Sequence, residues 1–162
     1  MIRSGLRFTP KWIAGGMGLS ALMLSAASWA ACTVTATTMP FGAYNPANAS
    51  PTNGSGTVKV ICTVLVSINL SWTVMMSKGA STTYSPRQMT NGAATLDYNI
   101  YTTNAYSTIW GDGSGSTGFI SDSLFLAVGT TTSTYPMYGR IPALQDVKSG
   151  PYTDSIVVTV TY

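Results

Sequence analysis

The chain has 162 residues, with eight lysines and arginines, five acidic residues that are all aspartate, and no histidine or glutamate. Three of the cations (Arg3, Arg7, Lys11) fall in the first eleven positions, and past residue 30 five scattered cations face Asp97, Asp112, Asp122, Asp146 and Asp154. The length suits one domain. The even charge offers no basic cluster for nucleic acid, and the missing histidine and glutamate remove the commonest general base and metal ligands.

Residues 1–30 read as a cleaved secretory signal, leaving 31–162 as the mature domain. Arg3, Arg7 and Lys11 form a positive start, and Trp12 to Trp29 supply an apolar run. Ser28 and Ala30 are the small residues before a cleavage point at Ala31. The run contains Gly15, Gly16 and Gly18 and is short for a spanning helix, so no membrane span is expected after cleavage. A lipid-modified Cys32 would want an aliphatic residue where Trp29 stands.

Secretion puts the two cysteines, Cys32 and Cys62, in an oxidising compartment, where a bridge is expected rather than two buried free thiols. It would close a loop of about 30 residues and contribute roughly 3–4 kcal/mol.

Short alternating runs separated by turn-rich clusters predict an all-β sandwich of about seven strands. The first runs from Cys32 to Thr37. Asn45 to Gly56 is rich in Asn, Pro and Gly and is expected to be loop. Thr57 to Val66 places Val58, Val60, Cys62, Val64 and Val66 inward, and Ile68 to Met75 does the same with Ile68, Leu70, Trp72 and Val74. A loop from Lys78 to Arg87 precedes Ala94 to Tyr101, which alternates Leu96, Tyr98 and Ile100 against Asp97, Asn99 and Tyr101. After the glycine-rich 111–118, Leu124, Leu126 and Val128 mark a further strand, and Tyr135 to Ile141 another. The last, after Gly150-Pro151, sets Ile156, Val158, Val160 and Tyr162 on one face. Nothing follows to pair with it.

Catalytic constellations are missing: the serines and threonines have no basic partner, and no aspartate pair is close in sequence. No enzyme activity, cofactor or metal is expected. Asp112, in Trp110-Gly111-Asp112-Gly113, lacks the further oxygen ligands of a calcium site and reads as a tight turn. Tyr101, Tyr106, Trp110, Tyr135 and Tyr138 include candidates for exposed sugar-stacking rings, although aromatics also favour strands for packing.

The cysteine pair joins several spaced motifs: Phe41-Gly42-x-Tyr44, Gly56-x-Val58-x-Val60-x-Cys62-Thr63, Arg87-x-Met89, Leu96-x-Tyr98-x-Ile100-Tyr101, Trp110 to Gly113, Tyr138-Gly139-Arg140-Ile141-Pro142 and Gly150-x-Tyr152-x-Asp154-Ser155-Ile156. In this order, from Cys32 to Tyr162, they resemble the spore coat protein U domain family, which includes subunits of archaic chaperone–usher pili.

The resemblance implies an incomplete immunoglobulin-like sandwich whose last strand is supplied in trans, with Trp110, Gly111, Asp112, Gly113, Gly139 and Arg140 as the family's turns. Tyr152, Ile156, Val158, Val160 and Tyr162 would line a groove filled first by a periplasmic chaperone. An outer-membrane usher would then exchange the chaperone for a strand from another pilus subunit, by β-augmentation. The chain would travel through the periplasm to the bacterial surface and serve adhesion and biofilm formation. Cleavage before Ala31 would leave no donor strand ahead of Cys32, so the chain is expected to accept a strand but not give one, as a tip or minor subunit. The alternative of another class is a self-contained secreted coat or carbohydrate-binding sandwich.

Overall fold

The computed structural model describes residues 30–66, 68–126 and 128–162. The expected signal sequence lies outside them except for Ala30. Eight strands follow in order: β1 (Ala30–Ala36), β2 (Thr52–Val64), β3 (Ile68–Met76), β4 (Arg87–Asn91), β5 (Ala94–Tyr101), β6 (Ile120–Leu126), β7 (Gly129–Ile141) and β8 (Val158–Thr161). They form two antiparallel sheets, ordered β1-β2-β7-β5-β4 and β6-β3-β8. No described residue is helical.

The period-two pattern determines which faces meet. Val58, Val60, Cys62 and Val64 of β2 are all at most 1% exposed. They belong to the same core as Leu70, Trp72, Val74 and Met76 of β3 and Leu96, Tyr98 and Ile100 of β5. Each such side chain contributes about 1.5–3 kcal/mol by leaving water.

Cys32 stands directly opposite Cys62 in the β1–β2 register and is disulfide-bonded to it, with a Cα–Cα distance of 4.1 Å. The bridge fixes edge strand β1 to its neighbour. Reduction, or Cys32→Ser with Cys62→Ser, is expected to cost about 3 kcal/mol in a urea unfolding curve.

Several expectations are corrected. Among the described residues there are eight strands where about seven were expected, the additional one being β4, which completes a hairpin with β5 through Arg87↔Tyr98 to Asn91↔Ala94. β2 begins at Thr52 inside the expected Asn45–Gly56 loop, because Thr52 to Gly56 find ladder partners in Ile141 to Met137 of β7. Tertiary pairing overrides the local turn signals there. Val66 lies beyond the end of β2 and is 49% exposed.

β7 starts at Gly129, ahead of the expected Tyr135, and carries Pro136 in its interior. The proline is tolerated because β5 pairs only with Tyr138 to Arg140, so Pro136 has a ladder on the β2 side alone. In β6 Leu126 is buried, but Leu124 and Val128 are 43% and 66% exposed. β6 is an edge strand, and Val128 lies past its end.

Candidate functional site

The terminal stretch keeps its alternation further than its ladder. Tyr152, Asp154, Ile156 and Val158 are all buried, whereas Thr153, Ser155 and Thr159 face solvent. Only Val158 to Thr161 form a strand, β8, which pairs with β3 from Met76↔Val158 to Thr73↔Thr161. Beyond one further contact at Val157 the ladder is not continued, because Thr153 bridges instead to Thr90 of β4. The chain thus passes from the edge of one sheet to the edge of the other between residues 153 and 158.

Among the described residues, nothing pairs with the second edge of β8. The Ser77 N–H donates to the Val157 carbonyl at 2.9 Å, which makes 77/157 a bonded pair. Antiparallel pairs alternate, so the N–H and C=O groups of Val158 and Val160 point to the free edge while their side chains point inward. Ile156 and Val158 are 3% exposed; Val160 is only half-buried.

Across from this edge lies β1, whose second edge also has no partner among the described residues. Its inward row of Ala30, Cys32, Val34 and Ala36 is partly buried against the core, as Val160 is. β1 and β8 approach within 8 Å between Cα atoms at their closest. Flanks of an intervening strand stand about 9.5 Å apart, so the two edges are slightly closer than that spacing. Tyr162 follows the last paired residue and is 53% exposed, so it is not part of the inward wall expected of it. Tyr152 is buried, with its hydroxyl donating to the Lys148 carbonyl at 2.8 Å.

The other motif residues serve the frame of this site. Trp110 is fully buried, which corrects its candidacy as a surface ring. Its indole N–H donates to the Val74 carbonyl at 2.9 Å, and its backbone N–H to that of Ile100 at 2.8 Å. Gly111 has the Thr117 hydroxyl at 2.5 Å from where a Cβ would stand, so any side chain would displace that turn. The Asp112 carboxylate accepts from Ser114 N–H at 2.9 Å and from its hydroxyl at 2.6 Å, which holds its pKa below the usual range. These bonds make it the expected tight turn. At Gly139 a Cβ would strike Met39 and the Phe41 ring, so glycine lets both plug the core. Arg140 lies 3.4 Å over the ring of Tyr106 and donates to the Asn53 side-chain oxygen. The half-buried Tyr135 hydroxyl accepts from Trp72 at 2.8 Å and donates to Asp122 at 2.7 Å.

One buried polar group had no assigned role in the sequence. Arg87 is fully buried, and Asn99 and Asp154 are each 6% exposed. The guanidinium donates to the Ser77 carbonyl at 2.9 and 3.1 Å, to the Trp110 carbonyl at 2.6 Å and to Asn99 at 3.2 Å. Asp154 accepts from Tyr98 hydroxyl at 2.6 Å, Ala80 N–H at 2.9 Å and Ser155 N–H at 2.7 Å. Four separate motifs thus meet at one end of the sandwich, and no buried side-chain nitrogen or oxygen among the described residues lacks a partner. The available signal was phase: Asp154 falls on the inward face with Tyr152 and Ile156, and Arg87 with Met89.

Burial, reinforced by Asp154, raises the pKa of Tyr98; burial, then Asp112, pushes Tyr84 up to about 12; burial and Asp122 raise Tyr135. A raised folded pKa contributes stability that is complete below the unfolded value of about 10 and is lost as pH climbs through the folded value. Urea midpoints should therefore be level from pH 7 to 9 and fall above about 10, with a shallower fall in Tyr98→Phe.

Two facing antiparallel sheets, with one disulfide between neighbouring strands of the larger, make this an immunoglobulin-like β-sandwich. A similar fold occurs in one chain of the CsuC–CsuE chaperone–tip adhesion subunit pre-assembly complex, from archaic chaperone–usher Csu pili of Acinetobacter baumannii. The likeness has a TM-score of 0.52 at 21% identity and covers 82% of this chain but 40% of that one. The sequence profile of the Spore Coat Protein U domain matches residues 19–159. Protein U of Myxococcus xanthus is 32% identical over 134 residues, covering 77% of this chain and 72% of its own length. The chain belongs to the Spore Coat Protein U domain family.

Proposed function

We propose that this protein is a structural, non-enzymatic subunit of a bacterial surface pilus, built by a chaperone–usher pathway and completed by a strand from another chain. The observation that carries this reading is the open edge of β8, where the main-chain groups of Val158 and Val160 are unpaired beside the half-covered apolar row of β1. An unpaired edge on a sandwich core is a hazard that proteins normally cover. An added strand would satisfy those groups and bury Val160, Cys32, Val34 and Ala36. The fold likeness to a chain from a chaperone–pilus subunit complex supports the choice of partners: a periplasmic chaperone, an outer-membrane usher and other pilus subunits.

The groove in this reading is lined by Tyr152, Ile156, Val158 and Val160, with Tyr162 folding in only when a strand arrives. Residues 1–30 act as a cleaved export signal and 31–162 as the pilin domain, exported through the periplasm to the cell surface. The acceptor-only role, as a tip or minor subunit in adhesion and biofilm formation, is supported by the composition of residues 1–30, which suits an export signal better than an alternating strand. The family's description favours a second reading, a self-contained coat protein.

Mixing the purified domain with a donor-bearing subunit of the family separates these readings. A one-to-one complex that does not elongate is the expected result. Self-assembly into fibres would overturn the acceptor-only role, and a stable monomer indifferent to every donor would favour the coat reading.

A further inference from the structure

β8 has four residues and one neighbour, and a strand so short and so flanked holds its place poorly by itself. Its position is set just upstream. The Ser77 hydroxyl accepts from Val157 N–H at 2.9 Å and from Gly79 N–H at 3.2 Å, while Ser77 N–H donates back to the Val157 carbonyl. Ser77 is in turn held by two donors of the buried Arg87, which is braced against Trp110 and Asn99. Three residues before Val157, Asp154 is pinned between Tyr98 and Ala80 and packs against Gly79. None of these groups lies on the free edge itself.

We propose that Ser77, held by Arg87, is a positioning residue for strand acceptance: it latches Val157 so that Val158 and Val160 present their edge in register before a partner arrives. The proposal rests on the acceptor reading above. Its physical content is a population. With the latch closed, β8 sits ready; without it, β8 spends part of its time detached from β3. The rate of strand capture falls by the same fraction while release from the filled groove is unchanged. A residue that merely stabilised the fold would change neither rate in this pattern.

Ser77→Ala removes the hydroxyl alone and keeps the backbone bond, so it is the milder variant; Arg87→Lys keeps the charge but loses the fork. The first measurement is amide hydrogen exchange on the unfilled domain. In Ser77→Ala, Val157, Thr159 and Thr161 should exchange about five- to tenfold faster, the equivalent of one lost hydrogen bond, with β1, β2 and β7 unchanged. Uniform acceleration, or none, overturns the latch. The second uses a fluorescent peptide of about ten alternating Val and Thr residues, the length of a groove strand, flanked by lysines. Association should slow in both variants by up to about twofold, because capture follows the attached fraction of β8 while exchange follows the detached one, with dissociation as in the wild type. Equal association rates overturn the positioning role. A wild-type domain that ignores the peptide counts against the acceptor reading, and the latch then stands or falls on the exchange data.

Discussion

Trp110→Ala will lower the unfolding free energy by about 3–5 kcal/mol, the usual cost of emptying a fully buried tryptophan site. The residue is 0% exposed, and its role is double. The ring fills the core, and its indole N–H satisfies the Val74 carbonyl inside β3. Its backbone ties the Gly111 turn to β5 and offers Arg87 an acceptor at 2.6 Å. Alanine leaves a cavity and a buried carbonyl without its donor. Trp110→Phe retains most of the volume and loses the bond, so it should cost about 1–3 kcal/mol. Urea unfolding of the three proteins checks the order. Equal loss in both variants would mean the hydrogen bond, not the packing, dominates.

Extending the chain past Tyr162 with an Asn-Gly turn and an alternating apolar strand should raise the melting temperature by about 10 °C. β8 runs toward the end of the chain, so a two-residue hairpin turn returns a strand antiparallel to it along the free edge. Four inward side chains would cover Val160 and the β1 row, each contributing about 1.5–3 kcal/mol. Ordering the added residues offsets part of this gain, and the ladder bonds that Val158 and Val160 would make add to it. A net of about 3 kcal/mol corresponds to about 10 °C for a domain of this size. An extension with aspartates at the inward positions should give no gain, and calorimetry of the two compares them directly.

Much of the fold was legible because inward apolar residues in β2 and β3 alternate without interruption, and a single cysteine pair leaves one possible bridge. Thr52 to Gly56 was illegible because its strand character comes from β7, not from its own residues. β4 was hidden for the same reason: Arg-Gln-Met-Thr-Asn is unremarkable until β5 pairs with it. At the site, the face of Ile156, Val158 and Val160 was readable from period two. That β8 forms only from Val158 was not, since the chain turns to β4 at Thr153 through long-range contacts. The roles of Arg87 and Asp154 also stayed out of sight, because the hydrogen bonds joining residue 87 to 77, 99 and 110, and residue 154 to 80, 98 and 155, exist only after folding.

The most direct test of strand acceptance is the exchange rate of two amides, Val158 and Val160, whose N–H groups face the open edge. Measured by NMR in the unfilled domain, both should exchange quickly. With the self-complementing extension in place, both should become strongly protected while Thr159 and Thr161, which face β3, change little. Fast exchange at Val158 and Val160 in the extended protein, or full protection before any strand is supplied, would contradict a groove completed from outside.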